Sequence, residues 1–389
     1  MIFVFWISLF IVFYTFFGYG IFLFVLVKLR TLLLGKRRLP DNGDIWPTLT
    51  VVIAAYNEED FIVEKIHNTL ALNYPEDKLQ ILFVTDGSTD RTPQLVAGFP
   101  QVRLMHDAAR NGKIAAIHRA MKEVHSEITI FTDANTLLNK DALVNICRHY
   151  KDLSVGAVSG EKRVNIANVE DATAGEGFYW KYESKLKTWD SELYSVVGAA
   201  GELFSVRTRL YEPVAPDTIL DDFMISMLIA AKNCRIVYEP MAYATEDGSE
   251  SIPEELKRKI RIAAGGMQSI LRLKSLLNPF HNFTLTFQYI SHRVLRWTVT
   301  PYLMIITFIS NGLLLFNPYI PLIYRIIFIA QVGFYALSLL GWLLEKKQVR
   351  IKALFIPYYF CMMNYAVMAG IRRYFRGTQS AVWEKAKRK

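Results

Sequence analysis

Residues 128–136 read ITIFTDANT, and this stretch decides how the rest of the chain is interpreted. Its first residues are typical of a buried strand, and Asp133 and Asn135 follow them two positions apart. In an open α/β sheet, ligands bind just beyond the carboxyl ends of the strands. An acid and an amide at this spacing can ligate a hard divalent cation, and that cation can hold a diphosphate. The alternative is a strand that simply ends in a polar turn.

The apolar residues of the chain are concentrated in four uncharged stretches. The chain has 389 residues, 52% of them hydrophobic, and a formal net charge of +9, which is more apolar than an ordinary soluble domain. Each uncharged stretch is close to the roughly 20 residues that cross a bilayer. We therefore expect four membrane spans flanking one globular unit. The uncharged stretches are residues 1–27, 298–324, 326–344 and 353–371.

The first stretch is predicted to be an uncleaved anchor. A signal peptide is the alternative, but no basic residue precedes the apolar run, whereas Lys28, Arg30 and Arg37 follow it. This asymmetry places the globular unit in the cytoplasm. The three cysteines have no pairing or metal-ligand spacing, which agrees with a reducing compartment and argues against zinc. The basic residues lie mostly beside the predicted spans, so we expect anionic membrane lipid as a partner and no nucleic acid.

Three more strand-like runs precede residues 128–133, and a helical pattern follows each of them. They cover residues 49–55, 79–84 and 102–105. Alternating strands and helices at this spacing predict a parallel, doubly wound sheet, with its strand ends meeting at one rim. The polar side chains expected there are Tyr56, Glu58, Asp86, Lys113, Asp133 and Asn135.

This set of side chains suits a nucleotide. Asp86 could accept a hydrogen bond from a base, Tyr56 could lie against the base plane, and Lys113 could neutralise phosphate. Taken singly, each position also fits an ordinary turn or helix start. The chain contains no GxGxxG fingerprint and no GxxxxGK loop, which argues against a dinucleotide oxidoreductase and a phosphate-loop ATPase.

Four motifs in order resemble family 2 glycosyltransferases over about residues 48–265. They are VIAAYNE at 52–58, DGSTD at 86–90, RNGK at 110–113 and TDAN at 132–135. The resemblance implies an α/β fold: a single nucleotide-sugar-binding domain of glycosyltransferase A type with a mixed, mostly parallel sheet, plus transmembrane α-helices. It also implies Mg²⁺ or Mn²⁺ as cofactor and inversion at the anomeric carbon. Carried over by position, the nucleotide-sugar contacts are Ala54, Tyr56, Glu58, Asp86, Lys113 and Asp133, with Asp133 at the ribose or the metal.

One motif departs from the family pattern. The family usually has Asp-x-Asp where this chain has Asp133 and Asn135. An amide oxygen can still ligate Mg²⁺ or Mn²⁺, but it brings one negative charge fewer. We therefore predict metal binding through Asp133 and Asn135 that is weaker than with two carboxylates.

Two further stretches carry the predicted acceptor side and the catalytic base. By resemblance, the loop that contains Gly201 and Glu202 faces the acceptor; tight packing of a strand is the alternative explanation for its small residues. Asp221 and Asp222 begin a predicted helix, where acids are also common as caps. Glycosyl transfer to a hydroxyl needs one general base. The resemblance assigns that role to Asp222, with Asp221 orienting it or the acceptor.

Residues 253–274 form a predicted amphipathic helix with a basic face and a bend at Gly265 and Gly266. We expect this helix to lie on an anionic leaflet; a solvated basic face is the alternative. Processive members of the family carry Gln-x-x-Arg-Trp here. This chain keeps the arginine, as Arg261, but has Arg258 and Ile262 in place of the glutamine and the tryptophan. Arg261 is assigned to the diphosphate, and elongation without release is left open.

The last apolar stretch is ambiguous. If residues 353–371 cross the membrane fully, the basic tail lies outside, against the positive-inside rule. Pro357 allows a broken or re-entrant segment instead, which favours a cytoplasmic tail. Within that tail, Trp383 faintly resembles a gating residue of the family.

The predicted organisation has six parts. They are a transmembrane helix (1–28), a basic linker (29–47), a cytoplasmic glycosyltransferase domain (48–250), interfacial helices (251–280), a transmembrane region of about three segments (293–373) and a basic tail (374–389).

The function that follows is a membrane-bound inverting glycosyltransferase of the inner or plasma membrane. It would use a nucleotide diphosphate sugar, most simply a UDP-sugar, and extend a β-linked polysaccharide. Single addition to a lipid or lipid-linked acceptor is the enzymatic alternative. A catalytically silent sensor or scaffold is a rival from another class, and a transporter is disfavoured because the spans contain almost no ionisable residues.

Overall fold

The structure is a computed structural model, and it describes residues 1–37, 46–165, 173–247, 251–347 and 351–380. Trp383 and the basic tail that contains it lie outside these residues, as does part of the basic linker. The chain begins with one long apolar helical run, which consists of α1 (Ile2–Phe13), a π-helical turn (Tyr14–Gly18) and α2 (Tyr19–Leu34).

The first half of the globular domain alternates strands and helices as the sequence predicts. Its elements are β1 (Leu49–Ala55), α3 (Ile62–Leu70), β2 (Leu79–Asp86), α4 (Thr92–Ala97), β3 (Arg103–Asp107), α5 (Lys113–Met121) and β4 (Ile128–Asp133). β1 pairs in parallel with both β2 and β4, and β2 pairs in parallel with β3. Ala54 is in register with Asp133, so the polar residues that follow these strands meet at one edge of the sheet.

The second half of the domain mixes strand directions. Its elements are β5 (Leu137–Leu138), α6 (Ala142–Cys147), β6 (Val155–Asn165), α7 (Thr173–Leu193), β7 (Leu203–Arg207), α8 (Asp221–Ala231) and β8 (Arg235–Asp247). The eight strands form one sheet in the order β3-β2-β1-β4-β7-β6-β8-β5. β7 is antiparallel to both β4 and β6. The predicted mixed, mostly parallel sheet is therefore confirmed.

The sheet is covered on both faces, which is why its central strands are apolar throughout. Successive residues of β1 enter different cores: Val51 and Ile53 pack on the face that carries α3, α4 and α6, and Val52 packs on the face that carries α5 and α8. This alternation is the period of a strand. Two packed layers of helices therefore hold the strand ends rigidly at the rim.

The rest of the chain is helical. Its elements are α9 (Ile252–Arg272), α10 (Phe283–Tyr289), α11 (Leu295–Trp297), α12 (Thr300–Leu314), α13 (Leu322–Lys346) and α14 (Lys352–Phe375). The bend predicted at Gly265 and Gly266 is wrong, since α9 is continuous through both. These glycines serve close packing instead: a Cβ atom would lie 2.6 Å from Leu220 at Gly265 and 2.5 Å from Trp297 at Gly266.

Three described helices are long and apolar enough to cross a membrane. They are Ile2–Leu34, Leu322–Lys346 and Ala353–Phe375. The second predicted span differs: Thr300–Leu314 meets the length and hydropathy required only together with Phe283–Trp297, and the two are bent by 62°. The described residues therefore hold three candidate spans, or four if the bent pair counts as one.

The helix α14 returns to the globular domain. Near its start it packs on α13, where a Cβ atom on Gly341 would lie 2.5 Å from the Leu354 carbonyl oxygen. Near its end it packs on α9, where a Cβ atom on Gly370 would lie 2.7 Å from the Ile260 carbonyl oxygen. Residues beyond this contact reach a cavity of the globular domain, to which Arg373 contributes.

Candidate active site

Two adjoining cavities open at the carboxyl edge of the sheet. The first is lined by Ala54, Tyr56, Glu58, Asp86, Arg110, Lys113 and Asp133, among others. The second has a volume of about 380 Å³, and its lining includes Lys113, Asp133, Gly201, Glu202, Asp221, Asp222 and Arg261. Lys113 and Asp133 line both cavities. The structure thus brings together most of the site residues that the sequence predicts. Trp383 lies outside the described residues. Asn135 does not line either cavity, but it follows Asp133 by two residues in the same loop.

Lys113 is the cation at the junction of the two cavities. It is the first residue of α5 and follows Gly112, whose φ of +93° places it in a backbone conformation that favours glycine. Its Nζ lies 2.8 Å from Asp133 Oδ1 and 3.6 Å from Asp221 Oδ2. Burial disfavours the charged form, but the charges of Asp133 and Asp221 outweigh burial and hold the pKa of Lys113 above its usual value. Lys113 is therefore a fixed positive charge.

Asp222 has the environment of a general base. It lies in the first turn of α8, and burial, together with the charge of Asp221, raises its pKa to about 7. Lys113 acts in the opposite sense. A Cβ atom on Gly201 would lie 3.1 Å from Asp222 Oδ2, so glycine at this position gives the carboxylate its space. A carboxylate with a pKa near neutrality can take up a proton during catalysis.

The first cavity is built around Asp86. Its Oδ2 accepts hydrogen bonds from the backbone N–H groups of Asn111 and Gly112, at 2.8 and 2.6 Å. These bonds fix the turn that presents Lys113. The Arg110 guanidinium lies 3.9 Å from the centroid of the Tyr56 ring and covers it. Tyr56 and Arg110 thus form a flat, polar wall, which suits a planar base.

The loop predicted to face the acceptor is anchored by an ion pair. Glu202 Oε1 lies 2.6 Å from Lys162 Nζ, and Lys162 also pairs with Glu246. Burial alone would raise the pKa of Glu202, but Lys162 outweighs it and holds that pKa well below its usual range. Glu202 is therefore an anion in the second cavity, immediately before β7 in the chain.

The sequence alone does not predict three residues that line the site or lie beneath it. Lys65 lies beneath the Asp133 loop, and the signal for it was a lysine on the inward face of α3, beside Ile62 and Ile66. Lys162 and Arg373 gave no local signal, since their positions depend on contacts between distant parts of the chain. Arg373 lines the second cavity from the end of α14.

The Asp133 loop fits a divalent cation that a ligand helps to hold. Asn135 Oδ1 is buried and has no hydrogen-bond partner among the described residues, so it offers an oxygen close to Asp133 in the chain. Over the residues that the structure describes, no group of three His, Cys, Asp or Glu side chains is arranged to hold a metal. The protein ligands at this loop would be Asp133 and Asn135, and a diphosphate and water would have to supply the further oxygens.

Comparisons with known proteins relate this chain to glycosyltransferases. Residues 50–214 match the family model described as Glycosyl transferase family 2. The poly-beta-1,6-N-acetyl-D-glucosamine synthase of Staphylococcus aureus (strain MSSA476) is 27% identical over 245 residues, which are 60% of this chain and 58% of that protein. The synthase of the same name from Staphylococcus epidermidis is 25% identical over 235 residues, 58% of this chain and 56% of that protein. The match thus spans under two thirds of the length of these relatives.

A solved structure shares the fold over nearly the whole chain. It is the mannosyltransferase PcManGT from Pyrobaculum calidifontis, in complex with GDP-Man and Mn²⁺. The TM-score is 0.70 at 22% identity, and the alignment covers 96% of this chain and 99% of that one. Residues 50–214 thus carry a domain that matches glycosyl transferase family 2.

Proposed function

We propose that this protein is a membrane-bound inverting glycosyltransferase. It transfers a sugar from a nucleotide diphosphate sugar, most simply a UDP-sugar, to a growing β-linked polysaccharide. One observation carries this proposal: Lys113 and Asp133 line the same cavity as Asp222. A cation for a departing diphosphate and a base for an incoming hydroxyl thus face one space, as a single displacement requires. The staphylococcal relatives, named as synthases of an N-acetylglucosamine polymer, support a saccharide acceptor.

Asp222 acts as the base in this proposal. Its carboxylate takes the proton of the acceptor hydroxyl as that oxygen attacks the anomeric carbon. Its pKa of about 7 gives it enough basicity while it is still largely ionised just above neutral pH. Asp221 faces Lys113 and adds the negative charge that keeps the basicity of Asp222 high.

Lys113 stabilises the charge that develops on the leaving diphosphate. Arg261 lines the same cavity from α9 and is the second cation assigned to the diphosphate. Asp133 and Asn135 would hold Mg²⁺ or Mn²⁺, which when bound adds charge stabilisation for the same leaving group. The globular domain, and with it the reaction, is assigned to the cytoplasmic side of the membrane, because basic residues follow the first helix.

The test is an activity panel on the purified full-length chain in detergent. Labelled nucleotide sugars are supplied with and without EDTA, and free nucleotide and labelled product are measured. We expect one donor class to release nucleotide, and Asp222→Asn to abolish release while leaving donor binding in place. Absence of nucleotide release from every donor, in a protein that is folded, would refute the proposal.

A second candidate function is single addition to a lipid-linked acceptor. The observation that favours it is the lining of the second cavity, where Ile262 occupies the position of the family tryptophan and Arg258 and Arg373 add positive charge. An apolar group beside arginines suits a phosphate attached to a lipid chain better than a stacked sugar. Gel analysis of the product separates the two functions: a ladder indicates elongation, and one adduct indicates single addition.

A further inference from the structure

We propose that Lys65 is a positioning residue for the donor site: a buried ammonium that fixes the Asp133 loop, attracts the diphosphate and keeps the affinity for the divalent cation low. This inference rests on the metal and diphosphate site of the proposed function. Lys65 lies on α3, its side chain is fully buried, and it lies outside both cavity linings.

The hydrogen bonds of Lys65 require an ammonium. Its Nζ bonds to the Thr136 carbonyl oxygen at 2.7 Å, to Thr132 Oγ1 at 3.1 Å and to Thr136 Oγ1 at 3.3 Å. The Thr132 hydroxyl donates its own hydrogen to the Glu202 carbonyl, and the Thr136 hydroxyl donates to the Asp133 carbonyl. All three partners of Lys65 therefore accept, and only the charged form supplies three donors.

These bonds connect the two sides of the active site. Thr132 and Thr136 bracket Asp133 and Asn135, so Lys65 holds both ends of the loop that would ligate the cation. Through Thr132, the same network reaches the backbone of Glu202 on the acceptor side. The same buried side chain thus contacts the donor loop directly and is connected to the acceptor loop through Thr132.

The charge of Lys65 is not neutralised by an ion pair. In the part of the chain that the structure describes, no carboxylate lies within 4.0 Å of its Nζ. The negative charge of Asp133 acts on Lys65 from a greater distance and raises its pKa, against the effect of burial. Asp133 also pairs with Lys113, so two lysines share the one carboxylate of the metal loop. Such a site favours an anion and disfavours a metal cation, because like charges repel strongly where water is excluded. Asn135 in place of a second acid acts in the same direction.

The test compares Lys65→Met and Lys65→Gln, both neutral, with Lys65→Arg, which keeps the charge. The full-length proteins in detergent are titrated at pH 6.0 with Mn²⁺ alone and, separately, with inorganic pyrophosphate alone. Burial lowers the pKa of Lys65 to about 7, so this pH keeps the wild-type residue charged. We expect the neutral variants to bind Mn²⁺ about tenfold more tightly and pyrophosphate about tenfold more weakly. Lys65→Arg should stay within about twofold of wild type for both.

Opposite changes in the affinities for Mn²⁺ and pyrophosphate would indicate a role of charge. Structural damage would instead weaken the binding of both ligands. A folded neutral variant whose Mn²⁺ affinity is unchanged or lower would overturn the inference. The inference would also be overturned if both neutral variants were unfolded and only Lys65→Arg folded. Lys65 would then be a purely structural residue. If wild type binds no Mn²⁺, either alone or with pyrophosphate present, the proposed metal site fails, and that failure is seen before any variant is compared.

Discussion

The ammonium of Lys113 lies 2.8 Å from Asp133 and 3.6 Å from Asp221, and so joins a residue of the proposed donor loop to the helix that carries the proposed base, Asp222. The two carboxylates come from strand β4 and helix α8, which are almost 90 residues apart in sequence. Their convergence on one lysine couples the proposed donor and acceptor halves of the site electrostatically.

Replacing Lys113 with Met should lower kcat by about 100-fold or more, because a preorganised charge at the leaving group is lost. The variant should also move the acid limb of the pH profile to higher pH, since Lys113 lowers the pKa of Asp222. Initial rates across pH 5.5–9 measure both effects. Lys140→Met, on the surface outside the site, is the control and should behave as wild type. A Lys113→Met enzyme with wild-type kcat would contradict the assignment.

Activity should depend on ionisation of Asp222. The base must be deprotonated, so kcat/KM should fall as the pH drops through about 7, the value to which burial and Asp221 raise its pKa. Asp221→Asn removes the neighbouring negative charge and should move this limb down by about one pH unit. Asp217→Asn, whose exposed partner is Arg272, is the matched control and should leave the limb in place. If the acid limb of Asp221→Asn moves to higher pH or stays in place, Asp221 does not raise the pKa of Asp222 as we infer.

Much of the first half of this fold could be predicted from local sequence. The runs 49–55 and 128–133 are apolar and end in polar residues, and the structure places both as adjacent parallel strands in register. The strand order beyond β4 could not be predicted, because the antiparallel insertion of β7 depends on pairing between distant segments.

The same distinction applies to the site. Motif spacing predicted Asp86, Lys113 and Asp133, since each follows a strand. It did not predict Lys162 or Arg373, whose neighbours lie elsewhere in the chain. His292 is isolated in the sequence, yet it is buried between Asp190 and Glu183, about 100 residues away. Partners at such distances leave no pattern in local sequence.

Asn135→Asp should raise the affinity for Mn²⁺ by about tenfold, because a carboxylate adds one negative charge to a hard-cation site. Asn135→Ala removes the ligand oxygen and should lower the affinity for Mn²⁺. The half-saturating Mn²⁺ concentration for nucleotide release measures both, with total activity at saturating metal as the internal control. Identical metal dependence in all three proteins would show that residue 135 is not a ligand.

Gly201→Ala should lower kcat by about tenfold with little change in thermal stability. Its new Cβ atom would lie 3.1 Å from Asp222 Oδ2, so the carboxylate must shift, and small displacements of a base are costly for the rate. Gly333→Ala in α13 is the control, since among the described residues no atom other than its chain neighbours and the adjoining helix backbone lies within 4 Å of its added Cβ. Equal rates for both variants and wild type would mean that Asp222 tolerates displacement.

The end of α14 should lie on the same side of the membrane as the globular domain. Thr378 and Ser380 line the cavity of Asp222, so residue 380 must lie on the side of the globular domain, whatever path α14 takes through the bilayer. In a chain without its native cysteines, Ser380→Cys should therefore react with an impermeant thiol reagent only in inside-out vesicles, together with a control cysteine at the exposed Arg91. Tyr319→Cys, in the turn between α12 and α13, should react only from the opposite side, because one helix separates it from the domain. Labelling of residue 380 together with residue 319 would mean that α14 crosses the bilayer completely. The contacts of Gly370 with α9 could not then form in the membrane.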